Sequence, residues 1–181
     1  MTVTVTRALT RAGRARLSGL ALGGLVWALD QLVKWLVTAV LHLDQVGAIR
    51  IAPVFDLRGA MNYGVSFSLL SASSTETRWL LVGLTALIAA GVVVWLLRER
   101  ALPECLALGL VLGGALGNIH DRASLGYVVD YADLHIGDWR PFQIFNLADA
   151  AISIGVLIIL ARSFLSREKA PEDRTGVPSE S

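Results

Sequence analysis

Four long runs of apolar residues dominate the hydrophobic pattern of the chain. They cover residues 18–41, 79–97, 101–119 and 144–165. A bilayer core about 30 Å thick is spanned by about 20 helical residues, and each run approaches that length. Apolar residues fall on nearly every face of each run, unlike the one-sided stripe of a helix in a soluble bundle. We therefore predict an all-α membrane protein with four transmembrane helices.

The composition supports a membrane protein and excludes several other classes. The chain has 181 residues, of which 54% are hydrophobic and 17% are charged. Soluble domains average about 45–50% apolar and about 25% charged residues, so too little polar sequence is left to cover four buried helices. A disordered chain and a basic nucleic-acid binder are also disfavoured. We expect no nucleic-acid partner.

Cysteine and histidine are too sparse to indicate a cofactor. Cys105 is the single cysteine, so an internal disulfide framework and a multi-cysteine zinc site are excluded. The three histidines, His42, His120 and His135, are scattered along the chain. We therefore expect neither a metal nor an organic cofactor.

The distribution of Lys and Arg predicts the orientation of the four helices. The N-terminal segment carries four of these residues, the connection between the second and third runs carries two, and the C-terminal end from Arg162 onward carries four. The other two loops, residues 42–78 and 120–143, carry five together. By the positive-inside rule both termini face the cytoplasm and these two loops face outward. The first run is too long for a secretory signal and lacks a small-residue cleavage site, so we predict a retained helix.

The remaining segments have patterns of their own. Residues 1–166 are predicted to form a single four-helix domain, and residues 167–181, rich in Pro, Ser, Glu and Gly, a disordered cytoplasmic tail. In the first outer loop, β-rich stretches punctuated by Pro and Gly predict a small sheet of two to four strands. In the second outer loop, residues 131–141 mix aromatic and polar side chains, which favours a segment lying at the membrane interface.

Charged residues inside the first run are costly and therefore informative. Asp30 and Lys34 are four residues apart, so they lie on one helix face and can pair. Intramembrane ionisable groups are functional candidates by default. A pair that neutralises itself and tethers the helix to its neighbours is favoured over a direct role in the site, and both interpretations remain open.

The third run ends in a polar cluster. Small residues that permit close helix approach are followed by Asn118, Asp121 and Arg122. An aspartate near a helix C-terminus is electrostatically unfavourable. We therefore expect Asp121 to have a specific partner, either Arg122 or a loop backbone group.

Two carboxylates bracket the second outer loop. The third and fourth helices must be antiparallel, so Asp130 and Asp149 can meet at the outer membrane surface, with Asn146 three residues before Asp149. Two close carboxylates share a proton, which suits an aspartic protease, where one activates water and the other protonates the carbonyl. Ion-coupled transporters also use carboxylate pairs. A third possibility is a non-enzymatic assembly subunit, in which these residues only pair with Arg122 and Lys34.

Five short blocks together resemble the lipoprotein signal peptidases, also called signal peptidase II. The blocks are residues 30–34, 62–68, 113–122, 128–131 and 145–149. The resemblance implies an aspartic endopeptidase that removes signal peptides from bacterial prolipoproteins, cutting N-terminal to the diacylglyceryl-modified cysteine. It also implies a multi-pass protein of the bacterial cytoplasmic (inner) membrane, with its site at the outer leaflet surface. We expect the chain to act as a monomer.

The same resemblance assigns roles to individual residues. By motif position, the catalytic dyad is Asp130 and Asp149. The positions that match site-lining or substrate-binding residues of the family are Asn62, Asn118, Arg122 and Asn146. The positions that match structural polar residues are Asp30, Lys34 and Asp121.

The chain departs from the family pattern at three places, none of them in the dyad. Val65 and Ser66 stand where the family usually has two alanines, and Tyr131 stands where it usually has Phe. The loop 133–143 is particular to this chain. The bulkier Val65 is expected to alter packing or substrate fit beside Asn62.

Overall fold

The computed structural model of the chain describes residues 10–64 and 75–167. Helix α1 is followed by a π-helical turn, a short helix α2, two strands, two long helices, a third strand and a last long helix. Their bounds are α1 Arg11–Trp35, the π-helical turn Leu36–Val40, α2 Leu43–Val46, β1 Ala48–Ala52, β2 Phe55–Asn62, α3 Thr75–Arg98, α4 Leu102–Ser124, β3 Val128–Leu134 and α5 Leu147–Arg167.

Within the described residues, four helices are long and apolar enough to cross a membrane. These spans are Arg11–Val40, Thr75–Arg98, Leu102–Ser124 and Leu147–Leu165. The predicted fold class, a four-helix membrane protein with a small sheet, is confirmed.

All four long helices start at other residues than the sequence-based bounds, with α3 beginning at Thr75 rather than residue 79 and α4 at Leu102 rather than residue 101. The differences in α1 and α5 have local reasons. The first helix begins at Arg11 rather than residue 18, because the Thr10 hydroxyl oxygen accepts the Gly13 amide at 3.1 Å and caps it. The last begins at Leu147 rather than residue 144, because Phe145 exchanges backbone hydrogen bonds with Ala132.

Helix α4 lies at the centre of the bundle and packs against α1, α3 and α5. It runs parallel to α1, and glycines on both helices bring the two backbones together. A Cβ atom on Gly23 would lie 3.0 Å from the carbonyl oxygen of Gly109. Helix α5 runs antiparallel to α4, with Gly155 against Ala107. Such close approach is typical of helices that pack in lipid.

The three strands form one antiparallel sheet in the order β1-β2-β3. In β2 and β3, Ala60 lies opposite Asp130 and Asn62 lies opposite Val128. One face of the sheet packs on the end of α1 in a small apolar core. The buried members of this core are Val37, Leu43, Val129, Tyr131 and Ala132. The sheet therefore lies against the C-terminal end of the first span and places Asp130 near the helices.

The second outer loop differs from its prediction. Instead of an interfacial segment beginning at Tyr131, the structure has strand β3 through Leu134, and Tyr131 is 7% exposed. The composition alone did not reveal the strand, because its pairing partner β2 is far away in sequence. A tight turn follows, in which Ile136 and Trp139 exchange backbone hydrogen bonds. The exposed apolar side chains beyond the strand are Ile136, Trp139 and Phe142.

Some sequence-based expectations lie outside the described residues. They are the disordered tail from residue 168 onward and the departures at Val65 and Ser66.

Candidate active site

Asp130 is buried on the central part of β3, where side chains from β2 and α5 converge on it. The residue is 2% exposed. Asn62 Nδ2 donates to Asp130 Oδ2 at 2.9 Å, and Asn146 Nδ2 donates to Asp130 Oδ1 at 2.6 Å. Both carboxylate oxygens therefore face amide donors.

Asp149 is held by a reciprocal cap at the start of α5. The backbone amide of Asp149 donates to Asn146 Oδ1 at 2.9 Å, and the amide of Asn146 donates to Asp149 Oδ2 at 3.3 Å. This is the geometry of a capping box, with Asn146 as the N-cap and Asp149 three residues later. Sequence reasoning placed these residues on one helix face but missed the cap, although an Asn-x-x-Asp pattern before an apolar run signals it.

The other first-turn amides of α5 also have acceptors. Leu147 N–H donates to the Tyr131 hydroxyl oxygen at 3.1 Å, and Ala148 N–H donates to Asp30 Oδ1 at 3.0 Å. Ala150 N–H donates to the Asn146 carbonyl at 3.2 Å. A helix start normally leaves the Leu147 and Ala148 amides without intrahelical partners, whereas the Ala150 bond is the first regular bond of the helix. Here β3 and α1 satisfy the first two amides, which fixes α5 and Asp149 relative to Asp130.

Two asparagines join the carboxylates into one network. Asn118 Nδ2 donates to Asp149 Oδ1 at 2.8 Å, while Asn118 Oδ1 accepts from Asn146 Nδ2 at 3.3 Å. Asn146 is fully buried and contacts both Asp130 and Asp149. The structure thus brings the two carboxylates together, as the antiparallel helices predicted.

A buried lysine sits behind these asparagines. Lys34 Nζ lies 2.7 Å from Asp30 Oδ2, 2.8 Å from Asp121 Oδ2 and 3.4 Å from Asn118 Oδ1. The predicted pairing of Asp30 with Lys34 is present. Because Lys34 touches both Asp121 and Asn118, it couples α1 to α4 directly behind the carboxylates.

Of the two partners expected for Asp121, the structure shows the backbone group but not Arg122. Its Oδ1 accepts from Gln31 Nε2 at 3.0 Å, and its Oδ2 accepts the backbone amide of Val129 at 3.1 Å. The expected loop-backbone partner is therefore Val129, whereas the ion pair is made with Lys34 rather than Arg122. Gln31 was not singled out from the sequence.

Arg122 faces the segment that follows β2. A Cβ atom on Gly64 would lie 3.4 Å from Arg122 Nη2, and Gly64 has a φ of +86°, in the left-handed region that favours glycine. The Gly64 amide donates to Asn62 Oδ1 at 2.8 Å, which turns the Asn62 amino group toward Asp130. Within the described residues, Arg122 Nε is buried and has no hydrogen-bond acceptor.

The environment changes the titration of the strand residues. Burial raises the pKa of Asp130 from its usual 3.8 to about 6; the hydrogen bond from Asn62 opposes this shift and the charge of Asp149 adds to it. Burial also raises the pKa of the Tyr131 hydroxyl to about 12. At mildly acidic pH Asp130 keeps a proton, and Tyr131 stays neutral at any physiological pH.

A cavity of about 450 Å³ opens directly onto Asp130. It lies between the end of β2 and residues 140–144 of the second outer loop. Its lining includes Asn62, Tyr63 and Gly64 on the β2 side and Arg140, Phe142 and Gln143 on the loop side. A polypeptide segment entering between β2 and the loop would reach Asp130.

Ion pairs that the sequence analysis missed hold the outer loop against the sheet. Asp133 is 1% exposed and lies 3.2 Å from Arg58 Nε and 3.1 Å from Arg140 Nε. Asp56 lies 3.2 Å from His135 Nε2. Burial by itself raises the pKa of Asp56, but His135 and a neighbouring arginine outweigh it and hold that pKa below its usual value. These pairs join β2 to the loop and were invisible without the strand register.

The chain is similar to known proteins over most of its length. The family model described as signal peptidase (SPase) II matches residues 22–165. A lipoprotein signal peptidase of Rhizorhabdus wittichii is 54% identical over 156 residues, covering 86% of this chain and 91% of the relative. One from Sphingopyxis alaskensis is 51% identical, covering 84% of this chain and 88% of the relative.

A solved structure described as a bacterial membrane enzyme has the same fold. It superposes with a TM-score of 0.71 at 26% identity, covering 81% of this chain and 92% of its own. Sequence match, fold and four apolar spans agree, so this multi-pass membrane protein belongs to the signal peptidase II family.

Proposed function

We propose that the chain is an aspartic endopeptidase that removes signal peptides from bacterial prolipoproteins. The observation that carries this proposal is the pair of the buried Asp130 and the half-buried Asp149, which are joined through Asn146 beside a cavity that Asp130 lines. Family membership supplies the reaction class, a peptide-bond hydrolysis. The aspartic mechanism rests on the geometry of the two carboxylates.

In the proposed reaction, a water molecule lies between the two carboxylates. Asp149 takes a proton from the water while the water oxygen bonds to the scissile carbonyl carbon. Asp130 gives its proton to the carbonyl oxygen. Collapse of the tetrahedral intermediate then breaks the C–N bond, and the leaving amine receives a proton from the dyad. The raised pKa of Asp130, about 6, suits it to be the protonated partner.

Neighbouring polar groups have supporting roles in this proposal. The amino group of Asn62 already points at Asp130, so a carbonyl oxygen bound there gains a second hydrogen-bond donor. Arg122 has a buried nitrogen without an acceptor among the described residues, and its guanidinium faces Gly64 after β2, which suits it to bind the substrate backbone. Lys34, Asp30 and Asp121 hold α1, α4 and β3 in register behind the site.

The proposed substrate is a diacylglyceryl-modified prolipoprotein, cut on the N-terminal side of the lipidated cysteine. Its acyl chains stay in the bilayer beside the helices, and only the peptide enters the cavity beside Asp130. We further propose that the chain acts as a monomer in the bacterial inner membrane. In the proposed orientation, both termini are cytoplasmic and the two carboxylates lie at the outer leaflet.

The test uses Asp130→Asn and Asp149→Asn, with purified protein and a lipidated prolipoprotein whose product mass is followed. Each variant is expected to lose cleavage by roughly 10²–10⁴-fold or more, since Asn can serve neither as acid nor as base. The double variant should be no less active than either single one, because the two groups act as a unit. Asp138→Asn is the matched control, since Asp138 is an exposed carboxylate in the same loop.

The melting temperature in detergent separates the proposal from a structural role. We expect each single variant to melt no lower than the parent at neutral pH, because removing one carboxylate relieves the cost of burying two. If the carboxylates only neutralised Arg122 or Lys34, either change would strand a buried cation and cost about 3–5 kcal/mol. Cleavage retained in a folded variant would contradict the dyad.

A further inference from the structure

A second cavity lies at the end of the bundle remote from the carboxylates. Its volume is about 540 Å³, and three arginines line it: Arg11 and Arg14 from the first turn of α1, and Arg100 from the connection before α4. The other lining residues are Ala15, Ser18, Ala101, Leu102 and Pro103. No carboxylate belongs to this lining among the described residues.

The cavity exists because α1 and α4 diverge at their N-terminal ends. The two backbones touch from Gly19 onward, where a Cβ atom would collide with the Cys105 carbonyl group. Before that point α1 presents the small side chains of Ala15 and Ser18, and α4 has only just begun. The gap therefore follows from the packing of the bundle.

Two helix N-termini and three arginines concentrate positive charge around this gap. Helix N-termini carry partial positive charge, and basic residues beside them are unfavourable without an anion. Helix α1 has no acidic residue in its first turn, and α4 has the N-cap Ala101, which supplies no side-chain acceptor.

The nearby acids are engaged elsewhere. Glu99 Oε1 accepts the backbone amides of Arg100 at 2.7 Å and Ala101 at 3.0 Å, and these two bonds lower the pKa of Glu99. Glu104, in the first turn of α4, pairs through Oε1 with Arg162 on α5, and its other oxygen is buried without a hydrogen-bond partner among the described residues. Within the described part of the chain, no carboxylate pairs with the side chains of Arg11, Arg14 or Arg100.

We propose that this cavity binds a phosphate group, supplied in the membrane by the headgroup of an anionic phospholipid. Guanidinium groups match the oxygens of phosphate in geometry and charge, and basic pockets between transmembrane helices suit anionic headgroups. The lining includes the exposed apolar side chain of Leu102, along which an acyl chain can lie. This site is separate from the proposed peptidase site and does not depend on it.

The test measures lipid retention by the full chain in detergent with native mass spectrometry. The probes are phosphatidylglycerol, zwitterionic phosphatidylcholine and inorganic phosphate. The parent is expected to retain one phosphatidylglycerol in preference to phosphatidylcholine. In Arg14→Gln/Arg100→Gln that affinity should fall on the order of 25-fold, at about fivefold per arginine.

Arg98→Gln is the matched control, because Arg98 is an exposed arginine at the same end of the bundle that does not line the cavity. It should retain the lipid like the parent. An equal loss in Arg98→Gln, or no preference for phosphatidylglycerol in the parent, overturns the proposal, since the attraction would then be diffuse or absent.

Inorganic phosphate distinguishes the source of the anion. If phosphate alone displaces the lipid in the millimolar range, the cavity takes the free anion as well. If it does not, the diacylglycerol part contributes to binding; either result supports a phosphate site. Should the double variant elute as aggregate in size-exclusion chromatography, Arg11→Gln gives the same comparison, with about a fivefold loss expected.

Discussion

At the scale of single residues, Asn146 connects structure and proposed chemistry. It caps α5, orients Asp149 through both its backbone and its side chain, and donates to Asp130. Because the residue is fully buried, its amide has no water to replace these bonds. Asn146, at the start of a helix, is thus the residue that contacts both members of the proposed dyad.

The raised pKa of Asp130 predicts a pH dependence of cleavage. If Asp130 must be protonated, kcat/KM should fall as pH rises through about 6, approaching a tenfold loss per pH unit above it. The measurement is the cleavage rate at subsaturating substrate across the pH range. A rate that keeps rising well above pH 6 would assign the proton to another group.

Asp130 should make the folded protein less stable as pH rises, whereas an ordinary ion-paired aspartate makes it more stable. The folded-state pKa lies above the usual 3.8, so the folded protein holds the proton more tightly than the unfolded chain. Stability is therefore greatest below about pH 4 and is lost as pH rises to about 6, by on the order of 3 kcal/mol. Comparing melting temperatures of the parent and Asp130→Asn across this window isolates the contribution.

Tyr131 gives a prediction specific to this chain, because Phe is usual at its position in the family. Its hydroxyl oxygen accepts the Leu147 amide, so Tyr131→Phe leaves the first amide of α5 without that acceptor. We expect a loss of about 0.5–1.5 kcal/mol in stability. Tyr63→Phe is the control, since Tyr63 is exposed and its hydroxyl contacts only a methionine sulfur among the described residues. Equal melting temperatures for both variants would show that the Tyr131 hydroxyl does not stabilise the start of α5.

At the scale of elements, the long helices and the proximity of Asp130 and Asp149 could be predicted, because apolar runs and antiparallel helices depend on local sequence. Strand β3 and the pairs of Asp133 with Arg58 and Arg140 could not, since they depend on the register with β2. The capping box was available in the sequence and was missed. The starts of α1 and α5 differ from their predicted bounds because caps, rather than hydrophobicity, set them.

The contact between α1 and α4 predicts that adjacent glycines respond differently to the same substitution. In Gly23→Val the new side chain meets the Gly109 carbonyl oxygen, 3.0 Å from the Cβ position, and should destabilise the bundle by about 1–3 kcal/mol. In Gly24→Val the Cβ position has nothing within 4 Å, so the melting temperature should stay at or above that of the parent. Because both variants add the same side chain to one helix, a similar effect of the two would argue against this helix contact.

At the scale of the whole molecule, the two ends of the bundle have different characters. One end carries the sheet, the second outer loop and the carboxylates. The other carries the arginines of α1, of the connection between α3 and α4, and of α5. A substrate already anchored in the bilayer reaches the carboxylate end with little loss of freedom, whereas the arginine end is suited to the anionic cytoplasmic leaflet.

This asymmetry predicts the orientation of the protein, with the arginine end in the cytoplasm. In a Cys105→Ala background, which removes the single and buried cysteine, we place one cysteine at Asp138→Cys or at Arg98→Cys. Asp138 lies at the tip of the second outer loop and Arg98 at the end of α3, and both are exposed. A membrane-impermeant thiol reagent added to intact spheroplasts should label Asp138→Cys, and should label Arg98→Cys only after lysis.

Labelling of Arg98→Cys before lysis would invert the topology. The carboxylates would then face the cytoplasm, on the side opposite to an exported prolipoprotein, and the proposed substrate would fail with the orientation.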